Sequence, residues 1–182
     1  MKKFFGFAAC LAICFMTASC GILGVGTKSG SASASGQASG AALKSLYSQY
    51  QTDGQIDITN LNNILMLAQL SNGIQGLKGV DDKSEFYSQF AQGLILGSDR
   101  LVTKNNANTI TSTLQSLASG TDLSTIAAAG VIAAAGAEQT GEKTTQTAKE
   151  TVSEAVEMIE DATDEVSSTI SSLTSIFGLL GK

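Results

Sequence analysis

The 182-residue chain contains no proline, no histidine and no tryptophan, and only three cysteines. Without proline, no helix is kinked or stopped by a missing backbone N–H. Without histidine there is no imidazole base, no Ser-His pair and no His-bearing metal site. Aromatic residues make up 5 %, and 11 basic side chains stand against 16 acidic ones, for a net charge of −5. An acidic chain with few aromatics lacks the basic footprint that nucleic acid requires, so no nucleic-acid partner is expected.

What the chain does have begins at its amino terminus. Lys2 and Lys3 precede an apolar run from Phe4 to Met16, followed by the small residues Thr17, Ala18 and Ser19 and then Cys20. A charged start, an apolar core of about 7–15 residues and a small-residue cleavage site make a signal peptide. The core falls short of the roughly 20 apolar residues that cross a bilayer. Cys10 and Cys14 lie inside the segment to be removed, which leaves Cys20 as the sole cysteine and excludes a disulfide framework. Two other fates fit the same residues: ordinary cleavage after Ser19, which leaves a lone thiol, and an uncleaved segment extended through Ile22, Leu23 and Val25.

Thr17-Ala18-Ser19-Cys20 resembles the lipobox of bacterial lipoproteins, with Thr17 where leucine is usual. The resemblance covers about the first twenty residues. It implies cleavage before Cys20, a diacylglycerol on its thiol and usually a further fatty chain such as palmitate on its new amino group. Two or three chains make a lasting anchor, whereas one binds only marginally. Gly21 is not the aspartate that often retains lipoproteins at the inner membrane. The address implied is the outer membrane, facing the periplasm.

Residues 1–19 therefore read as signal peptide. Residues 20–40, almost entirely glycine, serine and alanine, read as the acylated cysteine and a disordered tether. Residues 41–137 read as a helical domain. Leu43, Leu46, Tyr47 and Tyr50 recur at helical spacing up to Thr52-Asp53-Gly54. A second helix, capped by Asp57 or Thr59, carries Leu61, Ile64, Leu65, Leu67, Ala68 and Leu70 and is apolar nearly all round, as buried helices are. Asp82 with Glu85 matches a capping box for a third helix, which ends near Gly97 to Asp99. A fourth starts within Asn105 to Asn108. A fifth, from Ile126 to Ala137, is rich enough in alanine and glycine for another helix to approach closely.

Residues 138–182 change character. From Glu138 to Glu165 there are nine carboxylates against Lys143 and Lys149. Ala148, Val152, Ala155, Ile159, Ala162 and Val166 follow steps of four and three, as in a heptad seam. The stripe resumes after a slip of one residue with Ile170, Leu173, Phe177 and Leu180. The fold expected is all-α: a small bundle of four to five short helices and a long acidic amphipathic C-terminal helix, preceded by the tether. Residues 148–180 are expected to meet a protein partner or a second copy, or to fold back.

Chemistry is sparse. No catalytic residue, cofactor site or metal site is assigned, and no Gly-x-x-x-x-Gly-Lys-Ser/Thr phosphate loop occurs. Asp53-Gly54-Gln55-Ile56-Asp57 resembles the middle of an EF-hand or dockerin calcium loop. Gln49, Gln51 and Asn60 would then stand at ligand places that want stronger donors, Asn60 where a bidentate glutamate belongs. A turn followed by a helix cap explains the same residues. An enzyme would need Asp53, Asp57, Asp81, Asp82 or Asp99 to converge in a cleft. Lys182 resembles the terminal lysine of wall-linked envelope lipoproteins, which is joined to peptidoglycan; Leu180-Gly181 replaces the aromatic-basic pair that usually precedes it. The reading is a membrane-anchored, non-enzymatic envelope lipoprotein with Cys20 as its lipidated residue.

Overall fold

The computed structural model describes residues 28–138 and 145–180. They form helices only: α1 Lys28–Asp53, α2 Leu61–Gln75, α3 Glu85–Gly97, α4 Ala107–Gly120, α5 Ser124–Glu138, α6 Thr145–Asp161 and α7 Thr163–Leu180. The all-α expectation holds.

The first departure is α1. Residues 28–40 were expected in the tether, yet they form the first half of a 26-residue helix, so the helical domain starts at 28 rather than 41. Residues 20–27, and the signal segment before them, lie outside the described residues. The composition that argued for a tether is what the packing needs. Gly36 and Gly40 on α1 meet Gly93 and Gly97 on α3 backbone to backbone. A Cβ on Gly40 would sit 2.8 Å from the Ser98 amide nitrogen, and one on Gly97 would sit 2.7 Å from the Gln37 Cα. Such distances lie well inside the 3.5–4.0 Å of ordinary carbon contact. Helices studded with glycine at four-residue spacing approach this closely because nothing projects between them. Ser33 faces Gly93 and Gln37 faces Gly97, so the two helices run parallel.

On its other side α1 packs against α2. Gly73 accommodates Ser35 and Ser39, while Gln69 Nε2 donates to the Ala38 carbonyl at 3.2 Å. Residues 35 and 38 thus meet 73 and 69, and this pair is antiparallel. The remaining contacts extend a row: α2 packs on α5, with Gly130 against Ala68, and α5 packs on α6. The close approach expected of the Ala/Gly helix is made to α2. The order across the row is α3, α1, α2, α5, α6. α4 touches α3, α2 and α7. The core runs through Leu43, Leu46, Ile64, Leu67, Phe90 and Leu114, all essentially without solvent contact.

Helix ends follow local chemistry. α1 stops where Gly54, at φ +72, donates to the Tyr50 carbonyl at 2.8 Å, a left-handed cap that glycine adopts freely. The N-cap of α2 is Asn60, not Asp57 or Thr59: its side chain accepts from the Asn62 amide at 2.9 Å. The N-cap of α3 is Ser84, which accepts from the Tyr87 amide at 3.2 Å, so the Asp82/Glu85 box does not form. Asp81 instead accepts from the Lys83 amide at 2.8 Å within the preceding turn. α3 ends at buried Ser98, whose hydroxyl donates to the Ile95 carbonyl at 3.1 Å and accepts from the Val102 amide at 3.0 Å.

The second departure is the C-terminal element. The expected continuous helix is two helices that break at Ala162. The slip in the apolar stripe, between Val166 and Ile170, lies one turn beyond the break. Ala155, Ile159 and Ala162 are buried, as are Val166, Leu173, Ile176 and Phe177. α6 turns its seam to α5 and α7 its stripe to α4. Phe177 closes the arrangement against Tyr47 and Tyr50 of α1, at ring-centroid distances of 5.3 and 5.1 Å and tilts of 58° and 42°. Tilted aromatic pairs of this kind contribute about 0.5–1.5 kcal/mol each beyond the area they bury. The element folds back, with Glu154, Glu157, Glu160, Asp161 and Asp164 exposed.

Among the described residues no single helix is long and apolar enough to cross a bilayer; α4 and Ser124–Ala134 reach that length together but meet at 97°.

Candidate functional site

Cys20, the residue assigned to lipidation, and Lys182 both lie outside the described residues. The structure does place the carboxylates. Asp53, Asp57, Asp81, Asp82 and Asp99 are all exposed and sit at helix ends and in links. No group of three or more potential metal-binding Asp, Glu or Cys side chains forms among the described residues.

The calcium-like segment is a turn and a cap. Asp57 Oδ1 accepts from the Thr59 amide at 2.9 Å and from its hydroxyl at 2.7 Å, and these bonds hold the carboxyl below its usual pKa. Buried Asn63 donates Nδ2 to the Asp57 carbonyl at 2.7 Å. Ile56 points into the core and Asn60 caps α2. Asp99 serves a similar local purpose. It pairs with Lys44 at 2.8 Å, joining the end of α3 to α1. The Lys44 hydrogen bond and charge hold Asp99 below the ordinary carboxylate range. Asp99 and Arg100 are the two non-glycine residues described at positive φ, 50° and 72°. The ion pair thus fixes a sharp reversal.

A groove of about 660 Å³ lies between α3 and α4. Ser84, Ser88 and Gln92 recur at intervals of four along the α3 wall, which ends at Ile95 and Leu96; Lys104 and Asn108 belong to the other wall. Leu96 is 68 % exposed, one of two large apolar side chains so open to water among the described residues, the other being Val131 on α5 at 67 %. Tyr87 forms the floor and ties the walls together, donating its hydroxyl to the Asn108 carbonyl at 3.1 Å. Burial raises the Tyr87 pKa, and the Asp82 carboxylate adds to the rise. The phenol therefore stays protonated and keeps its donor role at neutral pH. Asn106, which begins α4, turns its side-chain oxygen back to the Thr103 amide at 2.8 Å and makes no cap bond to the helix.

Lys83 and Lys104 line the groove with neither ammonium group in an ion pair; the one such pair among the described residues is Lys44–Asp99. No motif in the sequence marks these residues. The available signal is the four-residue recurrence of polar Ser84, Ser88 and Gln92 on a helix whose opposite face is apolar. The groove offers hydrogen-bonding groups, two cations and an apolar end, which suits binding. It presents no nucleophile-base pair. Comparison with protein-family models, with curated proteins and with solved structures finds no match for the chain.

Proposed function

We propose that the chain is a lipoprotein of the cell envelope, held by fatty chains on Cys20 and acting by binding or structural support rather than by catalysis. The observation that carries the reading is the run from Lys2 to Cys20: paired lysines, an apolar core too short to span a bilayer, small residues, and Cys20 as the one cysteine left once the segment before it is removed. Lipidation accounts for that cysteine. Solvated carboxylates engaged in turns and one ion pair support the non-catalytic half of the reading.

Lys28, where α1 begins, is eight residue steps from Cys20. At about 3.6 Å per residue they reach at most about 29 Å. The bundle accordingly stays next to the membrane. A bridge to peptidoglycan through Lys182 is the second reading. It gains little from the helices, since α6 and α7 fold back and the longest described helix, 26 residues, spans about 39 Å.

Metabolic labelling with an alkyne analogue of palmitate tests the proposal. The wild-type chain is expected to take up label and sediment with membranes, and Cys20→Ser to lose both. Equal processing and membrane recovery of the serine variant overturns the anchor. Absence of a glycopeptide on Lys182 after muramidase digestion removes the second reading.

A further inference from the structure

We propose that α6 is a charge-gated strap: salt that screens its carboxylates seats it on α5, and weak screening lets it lift away while α5 and α7 stay in place. From Glu150 to Glu165 the chain has seven carboxylates and no basic residue. Within α6 their spacing makes four pairs three or four residues apart: Glu150 with Glu154, Glu154 with Glu157, and Glu157 with both Glu160 and Asp161. Side chains at these intervals are neighbours on a helix, and like charges there oppose its formation. Lys149, the one base in the helix, has no carboxylate three or four residues away in either direction.

The helices that flank α6 bring it no cation. Ser124 to Ala137 of α5 contains no charged residue and the helix ends on Glu138; α7 opens with Asp164 and Glu165 and carries no base. Lys143, in the link before α6, lies outside the described residues. Glu154, Glu157, Glu160 and Asp161 are exposed, and the ion pair among the described residues lies elsewhere, at Lys44–Asp99. The seam that opposes the repulsion is buried Ala155, Ile159 and Ala162, with Val156 and Met158 half-buried beside it. Two of the three buried side chains are single methyl groups, so the seam removes little apolar area from water. α5 and α7 have holds of their own. α5 packs closely on α2 through Gly130 and Ala68, and α7 is pinned where Phe177 meets Tyr47 and Tyr50. As the outermost helix of the row, with a break at Ala162 to turn on, α6 is the member that yields.

Each like-charged pair at this spacing weakens a helix about 1.4- to 2.3-fold, so four pairs together open α6 roughly 4- to 30-fold more often when unscreened. The screening length falls from about 30 Å at 0.01 M salt to about 3 Å at 1 M, shorter than the distance of about 5–6 Å between such neighbours. Native-state amide hydrogen exchange on the purified, isotope-labelled full chain tests the strap. The amides of Ala155, Met158 and Ile159 are expected to exchange about tenfold faster at 0.01 M than at 1 M potassium chloride. Protection of Ile64 and Leu114 in the core is expected to stay the same. Glu154→Gln combined with Glu157→Gln and Glu160→Gln removes all four pairs with little change in helix propensity. It is expected to slow α6 exchange about tenfold at 0.01 M and to remove most of its salt dependence. Glu157→Lys, which turns three of the pairs into attractions, is expected to slow it as well. Salt-independent exchange of α6, a triple variant that exchanges like wild type, or α6 amides unprotected at both salt concentrations overturns the proposal. So does an equal response at Ile64 and Leu114, which makes the effect one of global stability. None of these outcomes depends on whether Cys20 is acylated.

Discussion

Replacing Gly97 by alanine sets a methyl group against backbone that has no room to yield. The new Cβ would lie 2.6 and 2.7 Å from the Gln37 carbonyl carbon and Cα, nearly 1 Å inside normal contact. Since the obstructing atoms are main chain, no rotamer change relieves the clash; α1 and α3 must separate. Overpacking costs about 1–3 kcal/mol, and a rigid backbone neighbour puts this site at the upper end. Alanine recovers up to about 1 kcal/mol of helix propensity. The net expectation is a loss of about 2 kcal/mol, read as a lower urea midpoint at 222 nm. Gly36→Ala should act similarly, and the pair should cost less than the sum because one separation relieves both clashes. Gly178 supplies the opposite sign. It lies inside α7 with nothing within 4 Å of a built Cβ, so Gly178→Ala should stabilise by about 0.5–1 kcal/mol. A Gly97→Ala variant as stable as wild type would refute the backbone-to-backbone packing of α1 on α3.

Two further outcomes follow from local chemistry. Ser84→Ala should cost about 1 kcal/mol by leaving the Tyr87 amide uncapped, while Asp82→Ala should stay within about 0.5 kcal/mol; thermal melts that reverse this order would restore the capping box. Asp99 has a folded-state pKa held below its ordinary value by Lys44. Its contribution is full above about pH 4, the unfolded carboxylate value, and fades as pH falls through the lower folded value. The stability gap between wild type and Asp99→Asn should therefore close in acid, and urea titrations showing a gap constant from pH 6 down to strong acid would remove the ion pair as its cause.

Much of the helical layout was legible because it rests on local signals. Gly54, Gly97 to Asp99 and the asparagines before α4 all end or begin helices where their chemistry suggests. The apolar faces of α2, α6 and α7 are the ones buried. The caps of α2 and α3 were misplaced by one to three residues, since several Asp, Asn, Ser and Thr side chains compete in each link and only geometry decides among them. The larger error was α1. Its first half reads as a tether by composition, because Gly, Ser and Ala bury little side chain; what orders it is the backbone of α3, sixty residues away. The matching spacings Gly36/Gly40 and Gly93/Gly97 are visible in the sequence, but their meaning appears only once paired. The groove left even less trace, because it is made by two helices side by side, and its lysines look like ordinary surface charge.

The parallel seating of α1 on α3 also has a temporal side. A parallel pair cannot close as a simple hairpin; α2 must intervene, and the surface that makes α1 a helix does not exist until Gly97 has been synthesised. Until then a stretch with three glycines among its first thirteen residues, Lys28 to Gly40, has little reason to be helical. Residues 28–40 thus stay pliant until both neighbouring helices have emerged, and they stiffen only as those backbones arrive to pack against them.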